Sequence, residues 1–100
     1  MVGLTHFRTK NEPQLEADYD RASDVLYITL GKSRDGEGEM HPKGIMLRYS
    51  MDGDDPIGVT VVGVQHNEWQ KHISELAVIV AKHVNVVANI AEKAIRQAIT

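Results

Sequence analysis

Hydrophobic and polar residues alternate in the first part of this chain and follow a helical period in the second. Every glycine and every proline lies at or before Gly63, and neither type occurs over residues 64–100. Both residue types mark turns and interrupt helices. The pattern therefore predicts a single α+β domain over residues 14–100, with strands first and helix last, preceded by a flexible segment over residues 1–13.

Four stretches of the first part have the composition of β-strands. The first alternates apolar with acidic residues, as a half-buried strand does. The second is apolar on both faces, so it is expected at the centre of a sheet or in a sheet covered on both sides. Short, polar connections predict a mainly antiparallel four-stranded β-meander over residues 14–64. The predicted strands cover residues 15–20, 24–30, 45–49 and about 57–64.

The long connection between the second and third strands, residues 31–43, is polar and glycine-rich and is predicted to be a loop. The apolar positions of the strands that share one face predict the core of the sheet. Helical residues are expected to cover that face. The predicted core residues are Leu26, Ile28, Leu30, Ile45, Leu47, Val59 and Val61 on the strands, and Trp69, Ile73, Leu76 and Val80 on the helix.

The second part of the chain, residues 67–99, is predicted to be helical. From Trp69 onward apolar residues recur at spacings of three and four without losing phase. Asn67 is expected to be the N-cap, with Gln70 completing a capping box. Since a turn would normally need glycine or proline, one long or kinked helix is favoured over a helix pair broken near residues 83–85.

The apolar stripe of this predicted helix widens toward its C-terminal end, beyond the arc that packing on one small sheet requires. An unbroken helix of this length would also extend past the edge of a compact domain. We therefore expect a homo-oligomer whose subunits meet through the C-terminal helical residues. The predicted interface residues are Val84, Val87, Ala91, Ala94, Ile95 and Ala98.

Composition narrows the classes of function. The net charge of −3 and the scattered basic residues argue against nucleic-acid binding. The absence of cysteine excludes disulfides, thiolate catalysis and cysteine-ligated zinc. The longest apolar run, residues 76–81, is too short to span a bilayer. The N-terminus lacks the apolar core of a signal peptide, so a cytoplasmic location and no membrane association are expected.

Candidate chemical groups are few. Asp18, Asp20 and Asp24 surround the first predicted turn, and such carboxylates can bind Ca²⁺ or Mg²⁺. Their spacing lacks the pattern of a calcium-binding loop, so the favoured interpretation is that Asp20 and Asp24 bond the backbone of their own turn. The five histidines include no pair four residues apart, and there is no nucleophile elbow or phosphate-binding loop. The sequence thus predicts no catalytic residue, no metal site and no cofactor.

Residues 19–30, YDRASDVLYITL, together with the strands at 45–49 and 58–61, resemble a family of small, mostly bacterial proteins known as domain of unknown function 2283. The resemblance covers residues 15 to about 64 and implies a small β-meander. It implies no catalytic residues. Some members are encoded beside small proteins similar to ribonuclease toxins, which implies an antitoxin-like role.

Two functions of different kinds follow as expectations. The first is a non-catalytic, oligomerising module for protein interaction or regulation in a bacterial cell. The second is a small-ligand or metal-binding protein that uses either the loop around His41 or the aspartates of the first hairpin.

Overall fold

The chain folds as an antiparallel β-sheet followed by two helices, as seen in a computed structural model that describes residues 14–32, 35–52 and 54–100. The predicted α+β class is confirmed, whereas the segment over residues 1–13 lies outside the described residues. The elements are β1 (Leu15–Asp20), β2 (Val25–Leu30), β3 (Gly36–Met40), β4 (Ile45–Ser50), β5 (Pro56–Val62), α1 (Ile73–Val84) and α2 (Ala88–Ile99), with short 3₁₀ turns at Pro42–Gly44 and Trp69–Lys71.

Within the described residues the strand order is β1-β2-β5-β4-β3, so this sheet has five strands rather than four and is not the predicted meander. The last strand in sequence is the central one, and it joins two hairpins, β1–β2 and β3–β4. Val59 and Val61 of β5 are fully buried. Its central position gives this strand a hydrogen-bonded neighbour on each side, and helix α1 covers its inner face.

Strand β3 lies in the segment that was predicted to be a loop. Its sequence, GEGEM, alternates glycine with glutamate and so carries no hydrophobic signal of period two. Glycine is nevertheless required at one of these positions. A Cβ atom on Gly36 would lie only 2.3 Å from the carbonyl oxygen of Tyr49 on the neighbouring strand. The close approach of two backbones, rather than side-chain burial, explains this strand's composition.

The helical part is a pair of helices, so the favoured single long helix is wrong. Asn85 ends α1 with a left-handed backbone conformation, φ 59°, and its N–H donates to the carbonyl of Ala81. Asparagine tolerates this conformation better than other non-glycine residues and is an accepted substitute for glycine at a helix end. The chain can therefore turn between α1 and α2 without glycine or proline.

The start of the helical part also differs from the prediction. The first helix begins at Ile73, and His72 rather than Asn67 precedes it. The side-chain amide of Asn67 instead donates to the carbonyl oxygens of Val62 and Gly63. Asn67 thus stabilises the exit from β5 and caps no helix.

Both helices lie on the same face of the sheet, here called the inner face. Helix α1 packs over β5, and α2 packs over β1 and along α1. The predicted core is largely confirmed, with Leu30 and Leu47 half-buried at its border and the remaining nine residues buried. None of the described helices is long and apolar enough to cross a membrane.

The opposite face of the sheet, the outer face, has no helix packed on it among the described elements. Strand alternation and the register of the ladders place six of its residues together. Tyr27 is 46% exposed, and Met40 is also exposed. The six residues are Val25, Tyr27, Met40, Met46, Thr60 and Val62.

Candidate functional site

The carboxylate of Asp24 is the centre of a hydrogen-bond network at the first turn. It accepts hydrogen bonds from the Tyr19 hydroxyl at 2.7 Å and from the backbone N–H groups of Gln65 and His66. Its backbone carbonyl accepts from the N–H of Gly63. Asp24 therefore joins the β1–β2 turn to the segment that leaves β5. It does not bond its own turn, so that part of the prediction is wrong.

These hydrogen bonds set the acidity of both partners. Partial desolvation raises the pKa of Asp24, but the hydrogen bonds from Gln65, Tyr19 and His66 outweigh it, and the pKa lies below its usual value. The hydrogen bond donated to Asp24 raises the pKa of Tyr19, with smaller contributions from desolvation and from the Asp24 charge. The network holds a carboxylate ionised and a phenol neutral.

The other polar residues of this turn also have structural partners. The Asp20 carboxylate accepts from the N–H groups of Ala22 and Ser23, which confirms its predicted role. The Arg21 guanidinium lies over the Tyr19 ring and donates to the carbonyl oxygens of Ile99 and Thr100 at the end of α2. Asp18 pairs across the ladder with Tyr27 on the outer face, away from the network. The first hairpin is thus a structural connection, and its aspartates do not converge on a common point.

A pocket of about 530 Å³ opens on the inner face, between β4 and α1. It exists because the helices cover the β1–β2–β5 side of the sheet, which leaves the inner face of β4 beside an open space. Ile45, Leu47, Trp69 and Ile79 supply apolar surface inside it. The residues lining the pocket are His41, Pro42, Lys43, Ile45, Leu47, Trp69, Ile79, Lys82 and His83.

The rim of the pocket is held by a tightly fitted turn. Lys43 and Gly44 both have left-handed conformations, with φ of 63° and 79°. A Cβ atom on Gly44 would lie 1.9 Å from the carbonyl oxygen of Val62, so only glycine fits there. The indole N–H of Trp69 donates to the Lys43 carbonyl at 2.9 Å. These contacts fix the turn against the buried Trp69 and give the pocket a defined edge.

The mouth of the pocket carries cationic and titratable groups. Lys43 Nζ lies 5.7 Å from the centroid of the Trp69 ring, which lines the pocket. Ile79, Lys82 and His83 lie on one face of α1, because residues three and four positions apart are neighbours on a helix. None of the ion pairs within the described residues involves Lys43 or Lys82.

The two histidines at the pocket are anchored differently. His83 Nε2 is 3.0 Å from the carbonyl oxygen of Arg48, so this nitrogen carries a proton and donates. Its ring also makes an edge-to-face contact with Tyr49, with centroids 4.9 Å apart. His41 Nε2 donates to the Glu39 carboxylate at 2.9 Å on the exposed edge of β3. His83 is therefore a fixed wall of the pocket, whereas His41 is part of its exposed rim.

The sequence-predicted interface residues are divided between the core and the surface. Three of them are buried inside the single chain: Val84, Ala91 and Ile95. Ala94 and Ala98 are half-buried and Val87 is exposed. Because α2 folds back on α1, the expected overhanging helix does not exist, and half of the predicted surface is already covered by this chain. The homo-oligomer itself stays a prediction.

The remaining candidates do not form a site. His72 lies outside α1, its Nδ1 is 3.3 Å from the Glu75 carboxylate, and unlike His83 it does not line the pocket. Over residues 14–32, 35–52 and 54–100, no three histidine, aspartate or glutamate side chains are close enough to hold a metal ion.

The sequence predicts a candidate ligand site around His41 but not the other residues of the pocket. Trp69 is buried as predicted and also lines the pocket, whereas the sequence predicts no role for Lys43, Ile79 or Lys82. One signal was available: the His41-Pro42-Lys43-Gly44 segment carries turn residues directly beside basic and titratable ones.

A comparison of the chain with protein-family models, with curated proteins and with solved structures finds no match. The resemblance of residues 15 to about 64 to domain of unknown function 2283 therefore stays a prediction.

Proposed function

We propose that this protein binds a small, largely apolar molecule in the pocket between β4 and α1. The observation that carries the proposal is an open space of about 530 Å³ with an apolar interior and a few polar groups at its mouth. Ligand sites in proteins are typically concave, mostly apolar and about 300–1,000 Å³ in volume, with a small number of polar groups that orient the ligand.

The way the pocket is built also supports binding. The Trp69 and Gly44 contacts hold the rim in place before any ligand arrives. A pre-formed site loses less entropy on binding, which favours affinity.

The only tryptophan of the chain lies in this pocket, so its fluorescence can report binding there. We expect the neutral dye N-phenyl-1-naphthylamine to bind and to change the emission of Trp69. The variant Ile79→Phe should fill the pocket and weaken binding. Val78→Phe is the matched control, because Val78 is next to Ile79 on α1 but is 54% exposed and does not line the pocket. Equal binding by the two variants would contradict the proposal.

A second candidate function, homo-oligomerisation, is favoured by the outer face of the sheet. Strand β2 is apolar on both of its faces, and Tyr27, Met40 and Val62 are exposed on the side without helices. Antiparallel sheets with one face in water usually carry polar residues on it, whereas sheets covered on both faces do not. We propose that a second copy of the chain covers the outer face, which moves the predicted interface away from α2.

Light scattering at micromolar concentration tests this second candidate. The variant Val62→Lys should dissociate an oligomer formed through the outer face, and Val87→Lys should leave it intact. Val87 is the matched control because it is an exposed valine from the interface predicted on α2. Dissociation by Val87→Lys alone would restore the interface predicted from the sequence, and a monomeric parent protein would contradict both.

A further inference from the structure

Resting on the proposed ligand site, we propose that the ligand is an amphiphilic acid: an apolar body inside the pocket and an anionic head group at the mouth, beside Lys43 and Lys82. The chain as a whole has a net charge of −3, yet the described residues that line this pocket include two lysines, two histidines and no carboxylate. The local charge is therefore opposite in sign to that of the whole protein.

The two lysine charges are not neutralised by an acid within the described residues, which leaves them able to attract an anionic ligand. In the part of the chain that the structure describes, neither Lys43 nor Lys82 has a carboxylate within ion-pair distance. Of the two glutamates on the adjacent edge strand, Glu39 is hydrogen-bonded to His41 at 2.9 Å, and neither Glu37 nor Glu39 lines the pocket. A head group at the mouth would meet two ammonium groups whose attraction it does not share with a neighbouring acid.

The geometry places these charges beside apolar surface. The Lys43 ammonium lies 5.7 Å from the Trp69 ring centroid, and Lys82 projects from the same face of α1 as Ile79. Lysine side chains commonly cover apolar surface with their stems and keep the ammonium at the boundary with water. An apolar ligand body and its anionic end would thus be recognised by adjacent parts of one site.

The two histidines of the pocket do not neutralise the lysine charges. A histidine ring is either neutral or cationic, so it adds no negative charge to the pocket. The Nε2–H of His83 donates to the Arg48 carbonyl, which fixes the position of that ring. A carboxylate at the mouth would accept hydrogen bonds from ammonium groups, and each such charge-assisted bond is stronger than a neutral one.

Three probes that share an eight-carbon chain but differ in charge test the inference: octanoate, 1-octanol and octylammonium. Each is used to displace N-phenyl-1-naphthylamine from the full chain. We expect octanoate to bind roughly fivefold to tenfold more tightly than 1-octanol, as two partly exposed ion pairs would give, and octylammonium to bind most weakly. Raising NaCl from about 0.01 to about 1 M should remove the advantage of octanoate and leave 1-octanol unaffected.

Variants that remove one lysine charge each test whether Lys43 and Lys82 are responsible for the tighter binding of octanoate. Lys43→Gln and Lys82→Gln should each weaken octanoate about twofold to fivefold without changing 1-octanol. Lys93→Gln, an exposed lysine of α2 that does not line the pocket, is the control and should change neither. Equal affinities for octanoate and 1-octanol, or equal losses in all three variants, would overturn the amphiphilic-acid inference while the ligand pocket stands. Failure of the dye and of every octyl probe to bind would overturn the proposed function as well.

Discussion

The first turn and the mouth of the pocket both contain clustered polar residues, but the two regions use them in opposite ways. At the turn, the Tyr19 hydroxyl, the Arg21 guanidinium and the Asp24 carboxylate all bond other parts of the chain. At the pocket, Lys43 and Lys82 have no ion-pair partner among the described residues. Polar groups with internal partners stabilise the fold, whereas charged groups without them beside an apolar cavity can bind a ligand. The most distinctive segment of the sequence is therefore the structural one.

The largest effect is expected at the turn, from Asp24→Ala. The substitution removes the acceptor of three donors and places alanine at φ 60°, so the free energy of unfolding should fall by about 3 kcal/mol. Asp24→Asn should recover part of this loss, because asparagine tolerates the left-handed conformation and can still accept a hydrogen bond. Urea denaturation measures both changes.

Asp18→Ala is the matched control for the turn, since Asp18 is an exposed neighbour on β1 with no side-chain partner among the described hydrogen bonds. Its effect should stay within about 0.5 kcal/mol. Similar losses for Asp18→Ala and Asp24→Ala would show that the network does not stabilise the fold.

The next effect should appear at the pocket rim, from Gly44→Ala. The added Cβ would meet the Val62 carbonyl at 1.9 Å at a positive φ, so we expect a loss of about 2 kcal/mol and weaker dye binding. Gly38→Ala is the control, because its Cβ would meet only the flexible side chain of Met46. Thermal unfolding and dye titration of both variants test whether the rim needs glycine at this one position; equal tolerance would refute it.

The Tyr19–Asp24 hydrogen bond should make the stability of the fold depend on pH in both the acid and the alkaline range. Because folding lowers the pKa of Asp24, its stabilisation is present above the pKa of the unfolded chain, near 4, and is lost as the pH falls through the folded value. Because folding raises the pKa of Tyr19, its contribution is present below about 10 and is lost as the pH rises through the folded value.

Tyr19→Phe separates these two arms of the pH profile. It should cost about 1 kcal/mol at neutral pH, flatten the alkaline arm and leave much of the acid arm, since the Gln65 and His66 donors to Asp24 remain. Urea midpoints measured from pH 2 to pH 11 give both arms. An unchanged alkaline arm in Tyr19→Phe would be inconsistent with the hydrogen bond.

The smallest effect on stability is expected from Lys82→Gln. Lys82 is exposed and makes no ion pair among the described residues, so the free energy of unfolding should change by less than about 0.5 kcal/mol. The same variant should weaken binding of octanoate. A larger loss of stability would mean that Lys82 supports the fold, and the contrast between turn and pocket would disappear.

The sequence predicts what depends on hydrophobic period and little of what depends on backbone contacts. The strands containing Leu26 and Val59, and the helical stripe through Leu76, follow from the spacing of apolar residues. Strand β3 does not, because Gly36 is needed for close approach to Tyr49 and the alternation of glycine with glutamate leaves no apolar pattern. The break between the helices is also not predicted, because Asn85 ends α1 in a conformation that glycine usually adopts.

The pocket is equally invisible in the sequence. It arises from the order of the strands and from where the two helices lie, and both are long-range properties. Lys43 and Lys82 line the same pocket only once α1 is packed beside β4 on the inner face of the sheet. The spacing of apolar residues along the sequence does not show which distant residues lie close together in the fold.

The central position of β5 has a consequence for the order of folding. The hairpins β1–β2 and β3–β4 form from residues close in sequence, but each is marginally stable by itself. Only β5 pairs with both, and it is the last strand to be synthesised. The two hairpins must therefore wait for β5 to emerge from the ribosome, and formation of the long-range β2–β5 ladder should limit the folding rate.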